Sequence, residues 1–255
     1  MEILDQTNGL LDGLRLSGAK AALKVRLKQA QDDQLSYETF LNTLLHDEKE
    51  HRKNARVARL LKKAAFRQNA SLEGFDYSMP RGVSKQDVAN LATGRFVLEG
   101  SNILISGPTG VGKSYMATAI GNHLCRLGRS VVFFRMNALI EKIHLERAKG
   151  NYLNLIKRLT SPDVMIIDDF GIKPLEPSEY QDFYDIIDER GEEKSIILTT
   201  QLPPENWNEI IPDPITCEAV TDRIVSQSIK IQMAGQTYRQ KRQKAGSGLT
   251  NIEPV

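Results

Sequence analysis

Apolar positions near the start of the chain recur at the spacing of an α-helix. Leu10, Leu11, Leu14, Ala22, Leu23 and Leu27 follow this period, and Asp32-Asp33-Gln34 interrupts it. Ser36 stands where a helix needs an N-cap, with Glu38 in the next turn. Tyr37, Phe40, Leu41, Leu44 and Leu45 then form an apolar stripe. From Lys49 to Arg67 the chain turns basic, and Asn69-Ala70-Ser71 is a short polar joint. The pattern predicts a helical module over residues 1–68, followed by a separate main domain.

Beyond the joint the period changes. Phe96–Leu98 and Asn102–Ser106 bracket a Glu99-Gly100 turn. Asn102–Ser106, Val131–Phe134, Val164–Ile167 and Ser195–Thr200 are short apolar runs and are expected as strands. Lys113–Leu127, Asn137–Lys149, Tyr152–Leu159 and Ser178–Glu192 are expected as helices between them. Strands apolar on both faces and separated by helices make a mainly parallel sheet covered on both sides, an α/β fold. A short helix near Glu218–Ser226 and a strand Ile229–Ile231 close the domain, which is expected to span residues 69–234. The polar, basic stretch 235–255 is expected to be a mobile tail.

Composition narrows the classes. The chain has 255 residues, 40% hydrophobic and 26% charged, as in an ordinary globular protein. Its net charge of +2 means that any pull on nucleic acid must come from local clusters. Two cysteines far apart, Cys125 and Cys217, are expected as reduced thiols. His123 and Cys125, with no second ligand pair, are expected to pack rather than to bind metal. The N-terminus lacks a basic start followed by a long apolar run, and no stretch has the apolar length to span a bilayer. The expected location is the cytoplasm, with no membrane partner.

One strand runs into a phosphate-binding motif. Gly107-Pro108-Thr109-Gly110-Val111-Gly112-Lys113-Ser114, followed by Tyr115, has the Walker A spacing between an apolar strand and an amphipathic helix. Glycines let the backbone wrap so that its N–H groups point at phosphate oxygens, and the helix adds the positive end of its dipole. Lys113 would reach the β- and γ-phosphates, and the Ser114 hydroxyl would sit on Mg²⁺. A second strand ends in Asp168-Asp169. Adjacent buried acids repel and are costly to desolvate, and a bound cation supplies the reason for both. Asp168 would hold Mg²⁺ through water, and Asp169 would orient or deprotonate the attacking water. The plain alternative is a solvated strand end leading into Phe170-Gly171.

These motifs, with IIDDFG at 166–171, ILTTQ at 197–201 and TDRIV at 221–225, resemble the AAA+ ATPases of the initiator and helicase-loader branch. LRLSGAKAAL at 14–23, SLEGFDY at 71–77 and the basic tail narrow the resemblance to the IstB-type transposition helper ATPases, with loaders of the DnaC type next in pattern. The resemblance implies a P-loop AAA+ sheet and no C-terminal lid, because little sequence follows Ile231. It makes Thr200 or Gln201 the sensor of the γ-phosphate, with Gln201 favoured because an amide both donates and accepts. It makes Arg223 an arginine finger that completes a neighbour's site; a surface salt bridge to Asp222 or Glu218 is the plain alternative. Phe75 and Tyr77 are placed either to flank adenine or to fill the core.

Two basic clusters are candidates for contact with DNA phosphates, with a solvated helix face or plain surface charge as the alternative for each. Arg52, Arg56, Arg59 and Lys63 share one helix face by spacing. Lys142, His144, Arg147, Lys149, Lys157 and Arg158 lie in the region that initiator-type proteins turn toward nucleic acid. The implied function is an ATP-dependent homo-oligomer that binds duplex DNA without sequence choice and recruits a transposase through its N-terminal module. The alternatives are a helicase loader acting on single strands, a nucleotide-gated adaptor, and a small-molecule kinase. Adjacent Asp168-Asp169 argues against the adaptor, and the lack of a lid candidate against the kinase.

Overall fold

The computed structural model describes residues 2–78, 81–191 and 193–237. The chain divides into two compact units between Arg59 and Leu60. Residues 238–255, most of the expected tail, lie outside the described residues.

The first unit holds α1 (Glu2–Gly13), α2 (Ser17–Asp32) and most of α3 (Tyr37–Ala64). The leucine period that runs from Leu10 to Leu27 is thus carried by two helices. The break falls at Leu14–Leu16, where Arg15 takes the left-handed φ of 56°. Ser36 caps α3 as expected, its Oγ accepting the Thr39 N–H at 3.2 Å. Helix α2 begins after Leu16, which has no side-chain oxygen to cap it. Glu48 of α3 takes over, its Oε2 accepting from Gly18 N–H at 2.7 Å and Ala19 N–H at 3.0 Å. The approach is so close that a Cβ on Gly18 would stand 2.4 Å from His51 Cβ. Ala19, Leu23 and Leu44 form the small core, with Leu4, Leu11, Leu16, Ala22 and Phe40 against it. Leu10, Leu41 and Leu45 of the apolar pattern stay exposed.

The second unit begins inside α3. Leu60, Leu61 and Ala64, with Phe66 beyond, pack into its core, which puts the division nine residues before the polar joint. Helix α4 (Lys85–Ala92) starts with a Ser84–Asp87 capping box, and α5 (Arg95–Leu98) is the Phe96–Leu98 triplet, too short an apolar run to declare its own period. The sheet comprises β1 (Asn102–Ser106), β2 (Val131–Arg135), β3 (Val164–Phe170), β4 (Ser195–Thr200) and β5 (Ser228–Gln232) in the order β2-β3-β4-β1-β5. Every pairing is parallel. The connecting helices are α6 (Lys113–Arg126), α7 (Met136–Ala148), α8 (Tyr152–Thr160), α9 (Pro177–Arg190) and α10 (Pro214–Val225).

Strand alternation explains why both faces are covered. Ile103, Ile105, Ile166 and Ile197 point into one core with Met116, Ile120 and Leu124 of α6. Leu104, Met165, Ile167 and Leu198 point into the other with Leu139, Ile143, Phe183 and Trp207. Buried Asn102 ties the start of β1 to its neighbours. It accepts from Ile196 N–H at 2.8 Å and donates to Arg223 O at 2.9 Å.

Candidate nucleotide-binding site

The strand order puts the chemistry together. β1 ends in the phosphate loop and β3 carries the acidic pair, and β4 lies between them. Three strand ends therefore converge at one edge of a parallel sheet. The loop enters α6 through Gly112 at φ 105°, a conformation that glycine adopts without strain. Val111 is buried and anchors the loop in the core. Lys113 Nζ donates to Gly107 O at 2.7 Å and Pro108 O at 2.8 Å, so the ammonium lies in the mouth of the loop. Burial pushes its pKa down, against the pull of Asp169 and Asp168.

The acidic pair departs from the expected strand end. β3 continues through Phe170, with an irregularity of register between Ile167 and Phe170. Asp169 takes φ 64°, a left-handed residue inside the strand. Asp168 is buried, and burial raises its pKa, while hydrogen bonds from Thr199 and Ser114 act the other way. Thr199 Oγ1 donates to Asp168 Oδ1 at 2.6 Å and accepts from Asp169 N–H at 3.0 Å. Arg135, at the end of β2, lies 3.6 Å from the Asp169 carboxylate.

A cavity of about 650 Å³ opens here, lined in part by Thr109, Gly110, Gly112, Lys113, Ser114, Tyr115, Asp169 and Gln201. Gln201 is exposed on this cavity, whereas Thr200 Oγ1 is engaged with Leu202 O and N–H, both at 3.1 Å. Tyr115 OH donates to Ser71 O at 3.1 Å, pinning the entry segment to α6. Phe75 is buried against Tyr77 at 5.0 Å and lies beneath the Arg81 guanidinium, so it fills the core.

Three participants escaped the sequence reading. Gln68, at the end of the expected helical module, and Asn69, at the start of the polar joint, line the cavity. Thr199 was hidden inside an apolar run. The available signal was chemical: a buried strand hydroxyl needs a partner, and the nearest acid lay on another strand.

The other candidates lie elsewhere. Arg223, in the last turn of α10, donates to Asp188 Oδ1 at 2.7 Å and lies over the Tyr184 ring at 4.9 Å. Its ion-pair partner is thus on α9, not Asp222 or Glu218, because Asp188 faces the last turn of α10. It lines a different cavity, with Asp188 and Lys194. Arg52, Arg56, Arg59 and Lys63 all lie on α3 and are exposed. Arg52 bonds Glu48 Oε1 at 2.6 Å and Arg15 O at 3.1 Å. On α7, Lys142 covers Phe134, and Arg147 bonds Asp182 and stacks on Tyr152 at 4.0 Å. His144 faces Glu179 at 3.9 Å, and Lys149 pairs with Glu146 at 3.2 Å. Lys157 and Arg158 are exposed on α8. His123 hydrogen-bonds Ala92 O at 2.8 Å. Among the described residues, no helix is long and apolar enough to cross a membrane.

A parallel sheet of this strand order, with the phosphate loop on β1, paired acids on β3 and a polar β4 end between them, defines an ATP-binding P-loop protein of the AAA+ class. The fold matches that of AMPPCP-bound DnaA from Aquifex aeolicus at TM-score 0.55 and 20% identity, covering 75% of this chain and 58% of that one. It also matches the DnaC helicase loader at TM-score 0.52 and 23% identity, covering 65% of this chain and 97% of that one. The family described as IstB-like ATP binding protein matches residues 9–246, and the chain belongs to it. A relative from Sinorhizobium fredii, named as an insertion-sequence ATP-binding protein, is 32% identical over 234 residues, 92% of this chain and 96% of its own length.

Proposed function

We propose that this protein is an ATPase of insertion-sequence transposition that assembles on target duplex DNA with ATP and recruits a transposase. One observation carries the reading: Lys113, Ser114, Asp169 and Gln201, brought by three strand ends, line one cavity, and buried Asp168 is hydrogen-bonded to Ser114 behind them. Lys113 and the loop N–H groups hold the phosphates. Asp169, turned by its left-handed backbone, orients and deprotonates the attacking water, and Gln201 senses the γ-phosphate. The Ser114 hydroxyl and the Asp168 carboxylate, hydrogen-bonded to one another, are hard oxygen donors that suit Mg²⁺. Bound there, Mg²⁺ supplies neutralisation of charge on the β- and γ-oxygens.

Arg223 acts in a neighbouring subunit's site, which makes the oligomer depend on ATP. It lines a cavity other than the one at the phosphate loop of its own subunit, which supports this assignment. DNA contact is non-specific and falls on the exposed cations of α3 and α8. The first unit, with Leu10, Leu14, Leu41 and Leu45 exposed, meets the transposase. The insertion-sequence names of the relatives support transposition over helicase loading.

The test is binding to long duplex DNA and to single strands of equal length at one salt concentration. Multi-subunit binding to duplex with ATP, lost with ADP, supports the reading. A preference for single strands, or binding only with a partner helicase, moves it to a loader.

A further inference from the structure

The chain does not leave the nucleotide site when β5 ends. Met233 N–H donates to Ser106 O at 2.7 Å, beside the start of the phosphate loop. Ala234 N–H donates to Arg81 O at 3.0 Å. The segment Met233–Thr237 then lies against the glycines of the loop. A Cβ on Gly107 would stand 2.1 Å from Met233 O, and one on Gly110 would stand 2.1 Å from Thr237 Oγ1. One on Gly112 would meet Met233 Cε at 3.7 Å.

Two of these glycines therefore do two things. Their φ values of 145° at Gly107 and 82° at Gly110 let the loop wrap. Their missing side chains also admit a second segment of chain onto the outside of the loop. A phosphate loop binds only while its N–H groups converge on one point. Whatever packs on its outer side limits how far that convergence drifts, and small drifts are costly.

We propose that Met233–Thr237 is a strap that holds the phosphate loop in its nucleotide-binding shape, with Thr237 as a positioning residue that sets ATP affinity from outside the motif. This rests on the reading of the cavity as the ATP site.

The test measures the Kd of the full chain for a fluorescent ATP analogue. Thr237→Gly raises Kd about tenfold, and Thr237→Ser, which keeps Oγ, stays near wild type. Gly110→Ala drives a methyl into Thr237 Oγ1 and raises Kd about a hundredfold. Adding Thr237→Gly to Gly110→Ala leaves the Thr237 Cα as the nearest strap atom, at 3.3 Å, and recovers about tenfold of that loss. Strain from the φ of Gly110 alone predicts no recovery. The strap is overturned if Thr237→Gly binds within about twofold of wild type, or if the double variant binds no better than Gly110→Ala. Should Gly110→Ala fail to fold, the two single Thr237 variants still decide. If wild type and Lys113→Ala bind the analogue equally, the ATP-site reading fails. If only wild type binds, a silent Thr237 removes the strap alone.

Discussion

Thr199 donates its hydroxyl to the buried Asp168 carboxylate at 2.6 Å while the same oxygen accepts the Asp169 N–H at 3.0 Å. One side chain from β4 thus holds both acids of β3. Thr199→Val keeps the shape but leaves a buried carboxylate short of a donor, at a cost of about 1–3 kcal/mol. ATP turnover is expected to fall about tenfold or more, with Thr199→Ser restoring it. Steady-state kinetics of the three proteins check this; turnover unchanged in the valine variant would free Thr199 of any role.

Asp169→Asn keeps the size of the side chain and removes the carboxylate proposed as the base. Nucleotide affinity is expected to persist while turnover drops about a hundredfold or more. Retained turnover would assign the base to another residue.

Arg223 bonds Asp188 within its own subunit, so its proposed role in a neighbour must survive the exchange of that partner. Arg223→Ala alone is expected to lose about a thousandfold in turnover. Mixed with Lys113→Ala subunits, it should regain activity, because each variant supplies what the other lacks. A mixing series with no recovery at any ratio would count against action in trans.

The first unit should be acid-labile. Burial pushes the Glu48 pKa up, but bonds from Ala19, Arg52 and Gly18 outweigh it and hold the group below its ordinary value. The bond from Arg26 does the same for Asp47. Lowered carboxyl pKa values contribute stability above the unfolded value, near pH 4, that is lost as pH falls through the folded value. Amide exchange over residues 17–23, corrected for intrinsic rates, should accelerate below about pH 4. Glu48→Ala should accelerate it about tenfold at neutral pH, because α2 loses its cap. Unaltered exchange in that variant would mean that packing alone holds α2.

Cys125 is fully buried, and burial pushes its thiol up to about 11. It should resist alkylation near pH 8, whereas the half-buried Cys217 reacts first. Mass spectrometry of the native chain should find label on Cys217, with Cys125 labelled only after denaturation. Early labelling of Cys125 would show that α6 opens locally.

The sequence by itself determined what depends on neighbours along the chain. The Walker A spacing, the strands buried on both faces and the Ser36 cap are local patterns, because glycine conformations, side-chain period and capping act over a few residues. The family was legible for the same reason, since its motifs are short and contiguous. Tertiary structure decided what depends on contacts between distant segments. Glu48 caps a helix thirty residues before it, and Gly18 is small because His51 stands against it. Arg147, a charge in a basic run, bonds Asp182 and stacks on Tyr152. Thr199 became part of the site only when β4 paired between β3 and β1. Strand order is set by how helices cover both faces of a sheet, and that balance has no expression at any single position.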